Sequence, residues 1–283
     1  MPPQAEWARQ WGLLSRAERD AAYDNSAAVA DSARLNAERE ARSAAFRAAH
    51  PGKLDLAYGP APRQRFDLFP AADPAAPCLV FIHGGYWQRN AREQFACLIE
   101  GPFARGWAAA VPGYTLAPDA SMTEIAAEIT AALDWLAANG PAHGIGGPIV
   151  LSGWSAGGHL TALGLRHPAV VAGLAISGLF ELGPIRDTVL NDKLLLSDAE
   201  IAALSPLRLA PVAKPLAIAY GTAELPPLVA DSRDLHALRA AAHAPGALVP
   251  VAGGNHFTIV LELQNPDGVL TAQLPPLLAQ ARR

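Results

Sequence analysis

Charge and cysteine are both scarce in this chain, and each scarcity excludes a class of protein. Only 17% of the 283 residues are charged, with 22 Lys and Arg against 26 Asp and Glu for a formal net charge of −4. No run of lysines or arginines occurs, so neither a nucleic-acid surface nor a polybasic membrane anchor is expected. The expected partner is a small-molecule substrate, and a homodimer is compatible with the composition. The two cysteines, Cys78 and Cys97, have no metal-ligand spacing and cannot form a disulfide framework, which points to a reducing compartment. No stretch is apolar and uncharged for long enough to span a bilayer. Near the N-terminus, Glu6, Arg9, Arg16, Glu18, Arg19 and Asp20 stand where a secretory signal would need an apolar core. The expected location is therefore cytoplasmic.

What the chain has in quantity is apolar residues, at 51%. That is enough to bury one large core, and the reading is a single α/β domain over 1–283, with 1–50 a helical N-terminal extension. The extension is alanine-rich with Trp7, Trp11, Leu14, Tyr23, Val29, Leu35 and Phe46 as anchors, and Pro51-Gly52 stops it. Apolar-polar alternation in 54–59 and 65–69 predicts an antiparallel edge hairpin. Continuous apolar runs at 78–82, 107–114, 148–152, 170–177, 215–221 and 248–251 predict strands covered on both faces. Between them, Ile125, Ile129, Leu133 and Leu136 recur at helical spacing across 122–139. Parallel strands with helical crossovers give a three-layer α/β sandwich with a mostly parallel sheet of about eight strands. Residues 178–211 carry only short helical patterns and are expected to form a lid or insertion.

The chemistry centres on Gly153-Trp154-Ser155-Ala156-Gly157, directly after the 148–152 strand. Small flanking residues allow a strained strand-to-helix turn that lifts a serine Oγ above the sheet. As a five-residue pattern this is unspecific, so partners elsewhere must decide. After the 78–82 strand comes His83-Gly84-Gly85-Tyr86-Trp87, whose glycines can bare backbone N–H groups toward a developing oxyanion. His83 itself reads as structural. Of eight histidines, His256 alone follows the last strand, in Gly253-Gly254-Asn255-His256-Phe257, and is the candidate base. Glu224, just after the 215–221 strand, is the candidate carboxylate, with Asp231 as the alternative; Asp187, Asp192 and Asp198 read as solvated. Backbone N–H groups of Gly85 and Ala156, with Gly84 as a further donor, are the oxyanion hole. Tyr86, Trp87, Trp154 and Phe257 are expected to form an aromatic substrate wall.

With these residues in view, the chain resembles the arylformamidase (kynurenine formamidase) branch of the α/β-hydrolases. The resemblance rests on 83–88, on Ser155-Ala156-Gly157 with His159 following, on 221–226 and on Asn255-His256-Phe257, and it covers about 55–263. It implies the α/β-hydrolase fold, a triad of Ser155, Glu224 and His256, and no metal or organic cofactor. It also implies hydrolysis of a small acyl group, formyl above all, from an aryl amide such as N-formyl-kynurenine. The chain departs from that branch in having Trp154 before the nucleophile where histidine is common, and Glu224 where aspartate is common. A general short-chain carboxylesterase uses the same machinery and is the alternative. A non-enzymatic ligand receptor on the same scaffold would lack the serine or the histidine.

Overall fold

A computed structural model of the protein describes residues 11–50 and 52–282; the sequence features at Glu6, Trp7, Arg9 and Pro51 lie outside the described residues. Among the described residues, the helices α1 (Arg16–Ala21), α2 (Asn25–Ala28) and α3 (Ser32–Ala49) precede the sheet, and the short α4 (Glu100–Ala104) is the first helix between its strands. An eight-stranded sheet follows: β1 (Lys53–Ala57), β2 (Arg65–Phe69), β3 (Cys78–Ile82), β4 (Ala108–Pro112), β5 (Ile149–Trp154), β6 (Val170–Ile176), β7 (Leu216–Gly221) and β8 (Leu248–Val251). Their spatial order is β1-β2-β4-β3-β5-β6-β7-β8. The β1–β2 and β2–β4 pairs are antiparallel and every later pair is parallel, so the hairpin sits at one edge as its alternation predicts.

The five apolar residues of β3 explain the layering. Successive strand side chains point to opposite faces. Cys78, Val80 and Ile82 join one core with Met122, Ile125, Ile129 and Leu133 of helix α5 (Met122–Asn139). Leu79 and Phe81 join the other with Phe46 of α3 and with Leu274 and Leu277 of helix α11 (Leu274–Ala281). All five are essentially inaccessible to solvent, and truncating one such as Phe81 to alanine costs about 3–5 kcal/mol. A strand apolar on both faces must be covered on both faces, and that requirement sets the three layers. Helix α5 starts with a reciprocal cap, Ser121 accepting from the Glu124 N–H and Glu124 from the Ser121 N–H.

Residues 178–211 form the short helices α7 (Gly183–Arg186), α8 (Asn191–Leu194) and α9 (Asp198–Leu204). Leu179, Phe180, Leu182 and Ile185 are buried in the core. The segment docks on the N-terminal helices: Trp11 Nε1 donates to Asp187 at 3.0 Å and the Val189 N–H to Asp20 at 2.7 Å. Among the described residues no helix is long and apolar enough to cross a membrane.

Candidate active site

The parallel strands all end on one edge of the sheet, and the loops leaving β3, β5, β6, β7 and β8 meet there. The turn after β5 is tight. A Cβ on Gly153 would lie 2.3 Å from the Gly157 carbonyl oxygen, and one on Gly157 would lie 2.0 Å from that of Ile82, so neither position can carry a side chain. Ser155 between them takes φ +58° and ψ −118°, outside the ordinary regions for an L-residue, and its strain is offset by the sheet and helix on either side. Helix α6 (Ala156–Gly164) begins at the next residue, which leaves the Ala156 N–H among the first-turn amides that lack an intrahelical carbonyl.

Three side chains from separate loops form one hydrogen-bonded chain. Ser155 Oγ stands 3.1 Å from His256 Nε2, and His256 Nδ1 donates to Glu224 Oε1 at 2.6 Å. Glu224 Oε2 accepts from the Gly221 N–H and the Ser177 hydroxyl, each at 2.9 Å. The Glu224 carboxylate is wholly buried and the His256 ring nearly so, which keeps water from competing for either bond. A carboxylate accepts only, so Nδ1 carries the imidazole proton and Nε2 is left as the acceptor for the serine. His256 is fixed from behind as well: Trp154 Nε1 donates to its carbonyl at 2.8 Å, and the two rings lie 4.8 Å apart. Asn255 Oδ1 accepts from the Phe257 and Thr258 N–H groups, both at 3.0 Å, and shapes the loop before the short helix Ile259–Leu263.

The loop after β3 is held against this chain. A Cβ on Gly84 would lie 2.7 Å from the Trp154 carbonyl and 3.0 Å from Ser155 Cβ, which shows how closely its backbone approaches the serine. Gly85 has φ +124°, a conformation that glycine adopts without strain. Asn90 Nδ2 donates to the Gly84 carbonyl at 3.0 Å and ties the loop down. Beside Ser155 and His256 lies a cavity of about 80 Å³, lined by Tyr86, Arg89, Asn90, Trp154 and Phe257 and by Asn25, Ser26 and Asn36 of the N-terminal segment. Larger hollows, such as one of about 640 Å³ around Phe46 and Phe103, are open grooves away from this chain of hydrogen bonds. Among the described residues no group of three or more His, Cys, Asp or Glu side chains could hold a metal ion.

Residues 67–168 match the BD-FAE family model. Kynurenine formamidase from Danio rerio is 23% identical over 245 residues, covering 81% of this chain and 82% of its own. The crystal structure of a candidate thioesterase from a Silicibacter species is 31% identical, with a TM-score of 0.80, covering 89% of this chain and 97% of that one. Esterase B from Lactobacillus rhamnosis, at 19% identity and a TM-score of 0.71 over 92% and 97%, shares the fold. The chain is an α/β-hydrolase, similar over most of its length to kynurenine formamidase. It is an enzyme.

Not every residue singled out by sequence reaches this hydrolase's cavity. Trp87 does not: it is fully buried, with its ring edge-on to His159 at 5.0 Å. The left-handed backbone at both Tyr86 (φ +52°) and Trp87 (φ +58°) turns the indole inward, where it gains more burial than a small cavity offers. Asp231 is not near His256. It accepts from the Phe180 and Glu181 N–H groups at 2.6 and 3.1 Å and pins the start of the 178–211 segment, while burial pushes its carboxyl up to about 8. Asp187, Asp192 and Asp198 pair with Arg19, Arg16 and Arg186 at the surface. His83 stacks on Tyr114 at 4.3 Å and burial lowers it to about 3; His159 meets the Leu204 carbonyl and burial lowers it to about 4. Neither imidazole titrates near neutrality.

The segment 178–211 contributes no residue to the cavity lining, whereas the N-terminal helices contribute three. Asn25, Ser26 and Asn36 are not signalled by any motif. The one sequence cue to them is polar residues inside an alanine-rich helical stretch, which also describes any solvated face. Ser177, which supports Glu224, is likewise unmarked beyond its place at the end of a buried strand.

Proposed function

We propose that this hydrolase removes a small acyl group, formyl above all, from an aryl amide such as N-formyl-kynurenine, through a covalent ester on Ser155. The observation that carries the reading is the Ser155–His256–Glu224 chain opening onto a cavity of only about 80 Å³. That is well below the several hundred cubic ångströms of an ordinary ligand pocket and suits a small acyl group, with Trp154 and Phe257 in its wall. Ser155 attacks the carbonyl as its proton passes to His256 Nε2; Glu224 stabilises the imidazolium and keeps the other proton on Nδ1. The N–H groups of Gly85 and Ala156, with Gly84 adjoining, stabilise the oxyanion. The proton then moves to the leaving nitrogen and the arylamine departs. Water, activated by the same histidine, releases formate. No cofactor enters these steps.

The exposed guanidinium of Arg89 at the cavity lining suits an amino-acid tail ending in a carboxylate, as N-formyl-kynurenine has. The name of the Danio rerio relative supports the same substrate. Short-chain ester hydrolysis is the second reading, favoured by the likeness to Esterase B. Initial rates on N-formyl-kynurenine, N-formylanilide and phenyl formate, acetate and butyrate separate the two. Steep loss from formyl to butyryl with good formamide turnover is expected; butyrate cleaved as fast as formate, with formamides inert, refutes the formamidase reading in favour of the esterase.

A further inference from the structure

The peptide that joins Gly84 to Gly85 is held at its carbonyl and free at its N–H. The Gly84 oxygen accepts from Asn90 Nδ2 at 3.0 Å and lies 2.9 Å from His83 Nδ1. A carbonyl only accepts, so that imidazole nitrogen carries the proton, and both lone pairs of the oxygen are in use. The Gly85 carbonyl is held too, accepting from the Gln88 and Arg89 N–H groups, both at 3.0 Å. Among the described residues the Gly85 N–H has no hydrogen-bond partner, and Gly85 lines the cavity with Ser155 and His256. In a trans peptide the C=O and the N–H point in opposite directions. Donors that fix the Gly84 oxygen therefore also fix the line along which the Gly85 N–H points.

The two donors are supported differently. His83 is buried and stacked between Tyr114 at 4.3 Å and Phe95 at 5.6 Å, but it is the residue next to Gly84 and moves with the loop. Asn90 reaches back across six residues and closes the loop. It stands in left-handed backbone at φ +72°, which asparagine tolerates better than most residues. Its own carbonyl accepts from Arg63 Nη2, and Arg63 Nε donates to the Tyr114 carbonyl at 2.8 Å. Arg63 lies in the turn between β1 and β2, so the antiparallel edge of the sheet braces the loop beside the nucleophile.

We infer that Asn90 is a positioning residue for the oxyanion: its side chain holds the Gly84–Gly85 peptide so that the Gly85 N–H is aimed and polarised before charge develops. This rests on the acyl-transfer reading above, in which Ser155 Oγ bonds to the carbonyl carbon, its proton passes to His256 and the carbonyl π electrons move onto oxygen. A hydrogen bond accepted by a peptide oxygen draws electron density from the peptide nitrogen and strengthens its N–H as a donor. Without Asn90 the peptide lies between two glycines with one tether fewer, and the donor must be re-aimed as the reaction proceeds. The substrate carbonyl carries less charge than the oxyanion, so loss of aim falls on the transition state more than on the bound substrate.

The test uses Asn90→Gly, which removes the side chain and suits φ +72°, and Asn90→Asp, which keeps the shape but sets an acceptor against the Gly84 carbonyl. Both are compared with wild type on phenyl formate and N-formylanilide, and in binding phenylboronic acid, whose tetrahedral adduct with Ser155 presents an oxygen to the same donors. Each variant is expected to lower kcat/KM about tenfold on ester and amide alike and to weaken the boronate about tenfold, the worth of one good hydrogen bond. Rates within twofold of wild type overturn the inference. So does a loss confined to one leaving group, which would make Asn90 a substrate contact, or a loss of rate with boronate binding unmoved, which a merely loosened loop would give. Failure of both variants to fold, read by circular dichroism, would show a structural role alone and overturn it as well. If wild type cleaves neither substrate, the proposed function fails and this inference with it; turnover by wild type with unmoved variants refutes this inference alone.

Discussion

Glu224→Gln is the substitution whose outcome the local geometry constrains most. A glutamine offers one acceptor oxygen and one NH₂ donor where glutamate offers two acceptors. Oε2 of Glu224 faces the Gly221 N–H at 2.9 Å, a backbone donor that cannot reverse its role. The amide oxygen must take that position, which turns the NH₂ toward His256. Facing a donor, the imidazole moves its proton from Nδ1 to Nε2, and Nε2 can then no longer accept from Ser155. The opposite orientation sets two buried N–H donors against each other at a cost of about 1–3 kcal/mol, which favours the inactive arrangement by about 5- to 150-fold. Loss of the negative charge beside the imidazolium adds to this, and the equivalent acid-to-amide change in a serine-protease triad lowers kcat about 10⁴-fold. A fall of about 10³–10⁴ in kcat is therefore expected. Release of arylamine from an aryl formamide measures it, with circular dichroism to establish that the variant is folded. Activity within tenfold of wild type would falsify the assignment of Glu224 as the group that sets the tautomer.

Ser155→Ala should abolish turnover while leaving the thermal midpoint within a few degrees, since it removes one hydroxyl and little apolar area; an organophosphate should label wild type at Ser155, and full inactivation with the label elsewhere would reject the nucleophile. Burial lowers His83 and His159 to about 3 and 4, so between about pH 6.5 and 4 the unfolded chain binds up to two more protons than the folded one, and stability falls on acidification by up to ~2.7 kcal/mol per pH unit; Asp231, raised to about 8, offsets one proton of this. His159→Asn should flatten the pH dependence by about 1.4 kcal/mol per unit in urea titrations from pH 6.5 to 4.5, and an unaltered slope would show that His159 takes up its proton in the folded state. Arg89→Gln should raise KM about fivefold for N-formyl-kynurenine relative to uncharged N-formylanilide, the effect of one exposed ion pair; equal shifts on both substrates would exclude a carboxylate contact.

The sheet was legible because its signal is local. Five consecutive apolar residues in β3 can be satisfied only between two layers, and 122–139 carries its own cap and its own stripe, so strand and helix identities follow from neighbours in sequence. The meeting of Ser155, Glu224 and His256 was legible at one remove. Parallel strands deliver their trailing loops to one edge, so chain order together with a place directly after a strand narrows eight histidines to one and favours Glu224 over Asp231, which lies in the second turn of helix α10 (Pro226–Ala241). Trp87 was misplaced because the direction of a loop side chain depends on φ. Two successive positive values at Tyr86 and Trp87 turn the indole onto His159, and the residue types themselves do not signal them.

The N-terminal segment marks where local reasoning stops. Helix α2 is four residues long, too short to be stable alone, and it is held by pairs far apart in sequence: Asn25 with Tyr86, Trp11 with Asp187, Asp20 with Val189. None of these pairs leaves a periodicity or a motif, because each partner is an ordinary residue until the other is placed beside it. Yet this segment supplies Asn25, Ser26 and Asn36 to the cavity, while the sheet supplies the serine, histidine and carboxylate. The two contributions answer to different constraints. Reaction type follows from loops that the sheet topology fixes, so it is written in motifs such as Gly-x-Ser-x-Gly. Substrate choice follows from a surface layer whose position is set by braces to 178–211, so a change at Asp187 or Asp20, neither of which lines the cavity, can alter selectivity without touching the chemistry.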